Sequence, residues 1–171
     1  MKKDNKVIKV IQYKFKLFMM LTIAYAVFIF YLSSLSSPPS PSDLGFLRGF
    51  LRESIQLLED LGLKFLIYPF YLAYLYPDKF EHLILYMFFG LLLHLTLRNS
   101  KNFSKYASSF SVLIGTLYGI SDEIHQFFVP FRSPSATDLL ADFLGLILAQ
   151  LLFFSYFRFK RFLMSDEKRE V

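Results

Sequence analysis

The chain has 171 residues, 54% of them hydrophobic and 19% charged, with 22 Phe. Soluble domains average about 45–50% apolar residues with glycine counted and about 25% charged, so this composition and its long apolar blocks exclude an ordinary soluble domain and point to a membrane protein. There is no cysteine, hence no disulfide framework, no thiolate chemistry and no Cys-built zinc site; the net charge of +5 invites a nucleic-acid reading that the charge distribution removes.

A helix crosses the hydrocarbon core with ~20 mostly apolar residues. After a Lys-rich leader, LFMMLTIAYAVFIFYLSSL (17–35) is the first such run, and the prolines of SSPPSPS stop it. It is too long for a signal-peptide core and lacks a small-x-small cleavage site, so it reads as a retained span. Next, residues 43–61 set Leu47, Phe50, Leu51, Ile55 and Leu58 on one helical face, with Arg48, Arg52, Glu53 and Glu59 opposite. This is an amphipathic helix suited to the membrane–water interface, with Ser42 or Asp43 as its cap. FLIYPFYLAYLY (65–76) is too short to span and contains a proline; its tyrosines suit a headgroup belt, so it reads as interfacial or re-entrant. Three further spans follow at about 79–97, 106–128 and 137–157. The expected fold is all-α. It is a single polytopic membrane domain over 1–171: a four-helix transmembrane bundle with an amphipathic interfacial helix and a short interfacial or re-entrant segment in the first outer loop.

Basic residues orient the bundle. Of 19 Lys and Arg, 14 lie before span 1, between spans 2 and 3, or after span 4, which puts both termini in the cytoplasm by the positive-inside rule. The basic excess is then topological, and no nucleic-acid partner is implied. Ten of the 14 acids lie at the other side. Acids contribute little to topology, so their skew needs another reason.

Helical spacing supplies one. In span 2, Asp78, His82, Tyr86, Gly90 and His94 recur every four residues and share one face, with Lys79 alongside. In span 3, Gly115, Tyr118, Gly119, Asp122 and Gln126 share a face, with Glu123 beside it; span 4 opens with Asp138, Asp142, Gly145 and Ala149 in one stripe. Small residues let membrane helices approach closely. The stripes therefore predict an outward pocket, with Arg132 of the VPFRSPS turn over its mouth. Ser135 or Thr137 caps span 4, and His94, nearer the inner side, reads as a helix-contact histidine. Charges one turn inside a span are costly and usually mark function, although a structural ion-pair and hydrogen-bond network is the competing reading.

Carboxylates packed this closely do not all stay ionised unless paired, so Glu123, His125 and Asp122 are the acid–base candidates if the protein is an enzyme. Asp78, Lys79, His82, Tyr86, Gln126, Arg132, Asp138 and Asp142 are the candidate ligand-binding residues. Carboxylates with one His would suit Mg²⁺, Ca²⁺ or Mn²⁺, but the sequence assigns no metal ligands and no cofactor. HExxH and GxSxG are absent. Arg132 with interfacial aromatics suits a phosphate or carboxylate headgroup.

DKFEHLILYMFFG, DEIHQFFVPFRSPSATDLLADFLG and YLSSLSS together resemble the VanZ-like family, small bacterial inner-membrane proteins whose founding member is linked to teicoplanin-type glycopeptide resistance. The resemblance covers the chain apart from its basic leader and tail. It implies site roles for Asp78, Lys79, His82, Tyr86, Gly90, Asp122, Glu123, His125, Gln126, Pro130, Arg132, Asp138 and Gly145. Two positions depart from the pattern. Phe131 stands where the family often has Gly, which stiffens the turn and alters access to Arg132. Asp142 stands where Asn is frequent, which adds a charge.

The expected function is a bacterial inner-membrane envelope protein that contacts lipids. Its pocket would bind a lipid-linked cell-wall precursor, a lipid headgroup or a glycopeptide-type antibiotic. The alternative is an intramembrane hydrolase or transferase acting on a lipid-linked substrate with Asp-held cation assistance; a transporter of so few spans would need oligomers, a state the sequence leaves open.

Overall fold

In the computed structural model the described residues are 2–36 and 45–166. Six α-helices account for nearly all of them: α1 (Lys2–Ser33), α2 (Gly45–Asp60), α3 (Lys64–Leu75), α4 (Pro77–Arg98), α5 (Ala107–Gln126) and α6 (Ala136–Asp166), with a 3₁₀ turn, Ser104–Tyr106, before α5. No strand occurs among the described residues. The proposed cap at Ser42 or Asp43 lies outside them.

Local chemistry explains the helix ends. The turn from α2 to α3 passes through Gly62 at φ 70°, and the amides of Gly62 and Leu63 donate to the carbonyls of Glu59 and Leu58. That is a Schellman ending, which favours glycine at the left-handed position. Pro77 opens α4 at a position whose amide would have no helical partner, Asp78 sits in its first turn and Arg98 in its last, each favourable to the helix dipole. Ser135 caps α6: the Asp138 amide lies 3.4 Å from Ser135 Oγ.

Among the described residues, three helices are long and apolar enough to cross a membrane: Lys9–Ser33, Pro77–Arg98 and Ala136–Arg161. The expected third span, at 106–128, is shorter and more polar than these. Helix stops at Gln126 rather than Phe128, and α5 carries four serines together with Asp122, Glu123 and His125 in 20 residues. The first and last helices outrun the expected spans instead. The Lys-rich leader continues α1 as helix, because lysine is a good helix former and no Gly or Pro interrupts it.

Burial is inverted relative to a soluble protein. On α5 the buried residues are Ala107, Ser111, Gly115, Gly119, Asp122, Glu123 and Gln126, while Leu113, Leu117 and Ile124 are exposed. Lipid solvates such an apolar outer face, and polar groups must then be satisfied within the protein. They cross-link the helices. Thr22 Oγ1 and Thr96 Oγ1 join α1 to α4 at 2.8 Å, Tyr118 Oη donates to Ala26 O at 2.6 Å to join α5 to α1, and His94 Nδ1 meets Gln150 Oε1 of α6 at 2.7 Å. His94 is thus a helix-contact residue, stacked on Phe153 at 4.1 Å.

Helix α4 is the centre: it packs against α1, α3, α5 and α6. The apolar core gathers Ile29, Tyr86, Phe89, Leu93 and Leu146. At Gly145 the backbones of α6 and α4 approach so closely that an added Cβ would overlap Leu83 O and lie 2.9 Å from Met87 N. Backbone atoms on both sides leave little room to yield. Gly145→Ala should therefore cost about 3 kcal/mol by overpacking, whereas Gly49→Ala on α2, where an added Cβ meets nothing within 4 Å, should be neutral or slightly stabilising. Thermal unfolding of both variants in lipid nanodiscs checks this; equal midpoints would refute the close seam.

Candidate functional site

The end of α1, the first turns of α4, the last turns of α5, the 127–135 turn and the start of α6 line a polar cavity of about 370 Å³. Its wall includes Asp78, Lys79, His82, Tyr86, Asp122 and Gln126, with Arg132 and Asp138 across from them. Eight predicted site residues are thus brought together. Glu123 and Asp142 do not line the cavity. They are buried beside its His82 wall, Glu123 at 7% exposure and Asp142 at 0%.

Helix geometry sets each contact. Asp78 and His82 stand one turn apart on α4, as do Asp138 and Asp142 on α6, so the two helices present matched pairs. Lys79 Nζ lies 2.9 Å from Asp78 Oδ2 and also pairs with Asp138 Oδ1. One turn deeper, His82 Nδ1 is hydrogen-bonded to Asp142 Oδ1 at 2.9 Å, and His82 Nε2 is 3.9 Å from Asp138 Oδ2. From α5, Glu123 Oε2 accepts the Ser135 amide at 2.6 Å, which ties the end of α5 to the cap of α6. Gln126 Nε2 donates to Asp122 Oδ2 at 3.3 Å.

Among the described residues, seven buried side-chain polar atoms have no hydrogen-bond partner: Ser33 Oγ, Tyr86 Oη, Thr116 Oγ1, Asp122 Oδ1, Glu123 Oε1, Arg132 Nε and Asp142 Oδ2. Five of the seven belong to predicted site residues. Unpaired buried polar groups cost free energy, so such a concentration marks a place built for something other than the fold's own stability.

His125 is not part of this cluster. It lies 3.1 Å from Ser34 Oγ and stacks against Phe30 of α1 with ring centroids 4.5 Å apart. The reason is angular: at 3.6 residues per turn, residues two apart point in nearly opposite directions. Glu123 and His125 therefore face different neighbours. Tyr118, on the predicted α5 stripe, is spent on the bond to Ala26. Sequence reasoning missed Glu81, Ser33 and Ser133, which also line the cavity. Glu81 was findable, three residues from Asp78 and so on a neighbouring face; the serines have no such signal.

The VanZ/LLP1 family profile matches residues 18–159. The chain belongs to the VanZ/LLP1 family. No curated protein and no solved structure matches it. Family membership and the three apolar helices together make this a VanZ-like envelope membrane protein.

Phe131, the departure noted in the turn, has φ 64° and is 95% exposed. An L side chain in the left-handed region costs about 1–2 kcal/mol, partly offset in glycine by its greater unfolded entropy. Phe131→Gly should accordingly stabilise the protein by about 0.5–1 kcal/mol, while Phe131→Ala, which keeps the Cβ, should not. Comparing the two melting temperatures tests the assignment, and a gain for Ala as large as for Gly would overturn it.

Proposed function

We propose that the polar cavity opens outward at the membrane surface and binds the polar head of an envelope amphiphile, a lipid-linked cell-wall precursor or a phospholipid. The reading rests above all on one observation. A second, apolar cavity of about 590 Å³ lies between α3, α4 and α6, lined by residues such as Tyr68, Leu72, Leu83 and Leu144, and Lys79 lines both. A molecule with a charged head and an apolar chain fits the two together. Arg132 Nε, buried without a partner, is a donor suited to a phosphate or carboxylate of the head. Helices α2 and α3 lie on the outer interface, and both termini face the cytoplasm. A glycopeptide antibiotic carrying an acyl chain is a ligand of the same chemical class.

The alternative, hydrolysis or group transfer on a lipid-linked substrate, is favoured by one feature, the buried His82–Asp142 pair beside Glu123. In that case His82, not His125, would handle the proton.

Native mass spectrometry of the protein released from lipid nanodiscs containing a polyprenyl phosphate and phosphatidylglycerol tests the binding reading. The wild type should retain one of these lipids, and Arg132→Ala and His82→Ala should lower its occupancy about tenfold, as expected when one charge-assisted contact of roughly 1.5 kcal/mol is lost. Unchanged occupancy in both variants would sink the proposal.

Orientation is tested separately. The chain has no cysteine, so Ser36→Cys and Asn102→Cys each give a single reactive thiol. An impermeant maleimide on intact spheroplasts should label the first and spare the second; the reverse pattern refutes the topology.

A further inference from the structure

We propose that His82, Glu123 and Asp142 form a binding site for a divalent transition-metal cation of the Mn²⁺ or Zn²⁺ type. The site goes beyond the amphiphile reading and does not depend on it.

One ring nitrogen of His82 and one carboxylate oxygen from each of Glu123 and Asp142 lie within 4.8 Å of one another. Some point lies within about 2.8 Å of all three, so shifts of well under 1 Å bring them to the ~2.0–2.2 Å of N and O ligands on zinc. The three residues come from three helices, so the cation would also link α4, α5 and α6.

The carboxylates carry a second, independent sign. Each has one oxygen held and one oxygen free. Asp142 Oδ1 is bonded to His82 and Glu123 Oε2 to the Ser135 amide, whereas Asp142 Oδ2 and Glu123 Oε1 are buried with no partner. Groups that orient a ligand through one atom and leave the other open are the usual surroundings of a metal ion. A purely structural network would leave neither oxygen unpaired, since unpaired buried charge is costly.

Charge points the same way. Asp78, Glu81, Asp122 and Asp138 line the cavity and Glu123 and Asp142 stand beside it, against only Lys79, Arg132 and His82. An excess of carboxylates inside a membrane helix bundle favours a cation over an anion. The imidazole selects Mn²⁺ or Zn²⁺ over Ca²⁺ and Mg²⁺, which prefer all-oxygen shells.

The test uses full-length protein in nanodiscs, stripped with a chelator and titrated with Mn²⁺ or Zn²⁺. One equivalent should rebind, counted by elemental analysis after desalting, and Asp142→Asn and Glu123→Gln should each weaken binding at least tenfold, with Glu53→Gln on the exposed face of α2 unaffected. Pulsed electron paramagnetic resonance of the Mn²⁺ form of the wild type should show coupling to one imidazole nitrogen, a readout that needs no variant to fold. Failure of the stripped wild type to rebind either metal, wild-type affinity in both carboxamide variants, or no nitrogen coupling overturns the site. Stoichiometric metal without any retained lipid would refute the amphiphile reading alone.

Discussion

The seat of Gly145 against Leu83 sets the rest of the site. No Cβ fits between α6 and the backbone of α4 at that point, so the two helices have one register available to them. Three residues before Gly145 is Asp142, and one before Leu83 is His82. Locking the backbones together therefore delivers the His82–Asp142 hydrogen bond, and one turn up it delivers Lys79 to Asp138. Gly90 of α4 extends the same α4–α6 seam, where an added Cβ would crowd Ala149 and Leu146, and Gly115 of α5 brings a third helix against the Leu146 side chain. Leu146, fully buried, is the knob that these glycines receive.

In lipid there is little hydrophobic force between apolar helices, so close packing and polar cross-links must hold them. The chain uses both, at different depths. The Thr22–Thr96 and His94–Gln150 bonds lie toward the Arg98 end of α4, and the ionic cluster lies toward its Asp78 end. The former are paired. The latter keeps free atoms: Tyr86 Oη and single oxygens of three carboxylates. This division separates the part of the bundle whose polar groups are paired from the part that the proposed ligand would meet.

Much of this was legible in the sequence because helical period and residue size suffice to read it. The four-residue stripe of α4 predicted the wall Asp78–His82–Tyr86, and Gly90 and His94 on the same stripe turned out to be the packing and cross-link positions below it. The stripe of α6 predicted Asp138 and Asp142 together with Gly145. Other features were hidden for physical reasons. Which face of α5 meets α1 and which meets α6 depends on bundle geometry, so the sequence did not show that Tyr118 turns to Ala26 of α1, whereas the helical period alone already set His125 on the side away from Glu123. The Lys-rich leader mixes its lysines with Val7, Ile8, Val10, Ile11, Tyr13 and Phe15, and those charges ended the apolar run by which the first span was read, so its helix was not. The pairing of Glu123 with the Ser135 amide requires the 127–135 turn to double back, and that is a tertiary fact.

The turn itself joins strain to function. Phe131 holds a left-handed backbone where glycine would sit without cost, and the next residue, Arg132, directs its Nε into a buried place with no partner. Neither feature helps the fold. Backbone strain and an unmet guanidinium donor in adjacent residues are worth keeping only if the turn has to present Arg132 to the cavity. The same logic covers Asp142, a carboxylate with no exposure that bonds His82 through one oxygen and leaves the other unmet. Asparagine there would keep a hydrogen bond to His82 and remove the charge. A full carboxylate at the centre of three membrane helices is understandable only beside a positive charge, and His82 supplies that at most in one protonation state. The cation proposed between His82, Glu123 and Asp142 would answer that demand, since one carboxylate oxygen of each acid and a ring nitrogen of His82 lie within 4.8 Å of one another.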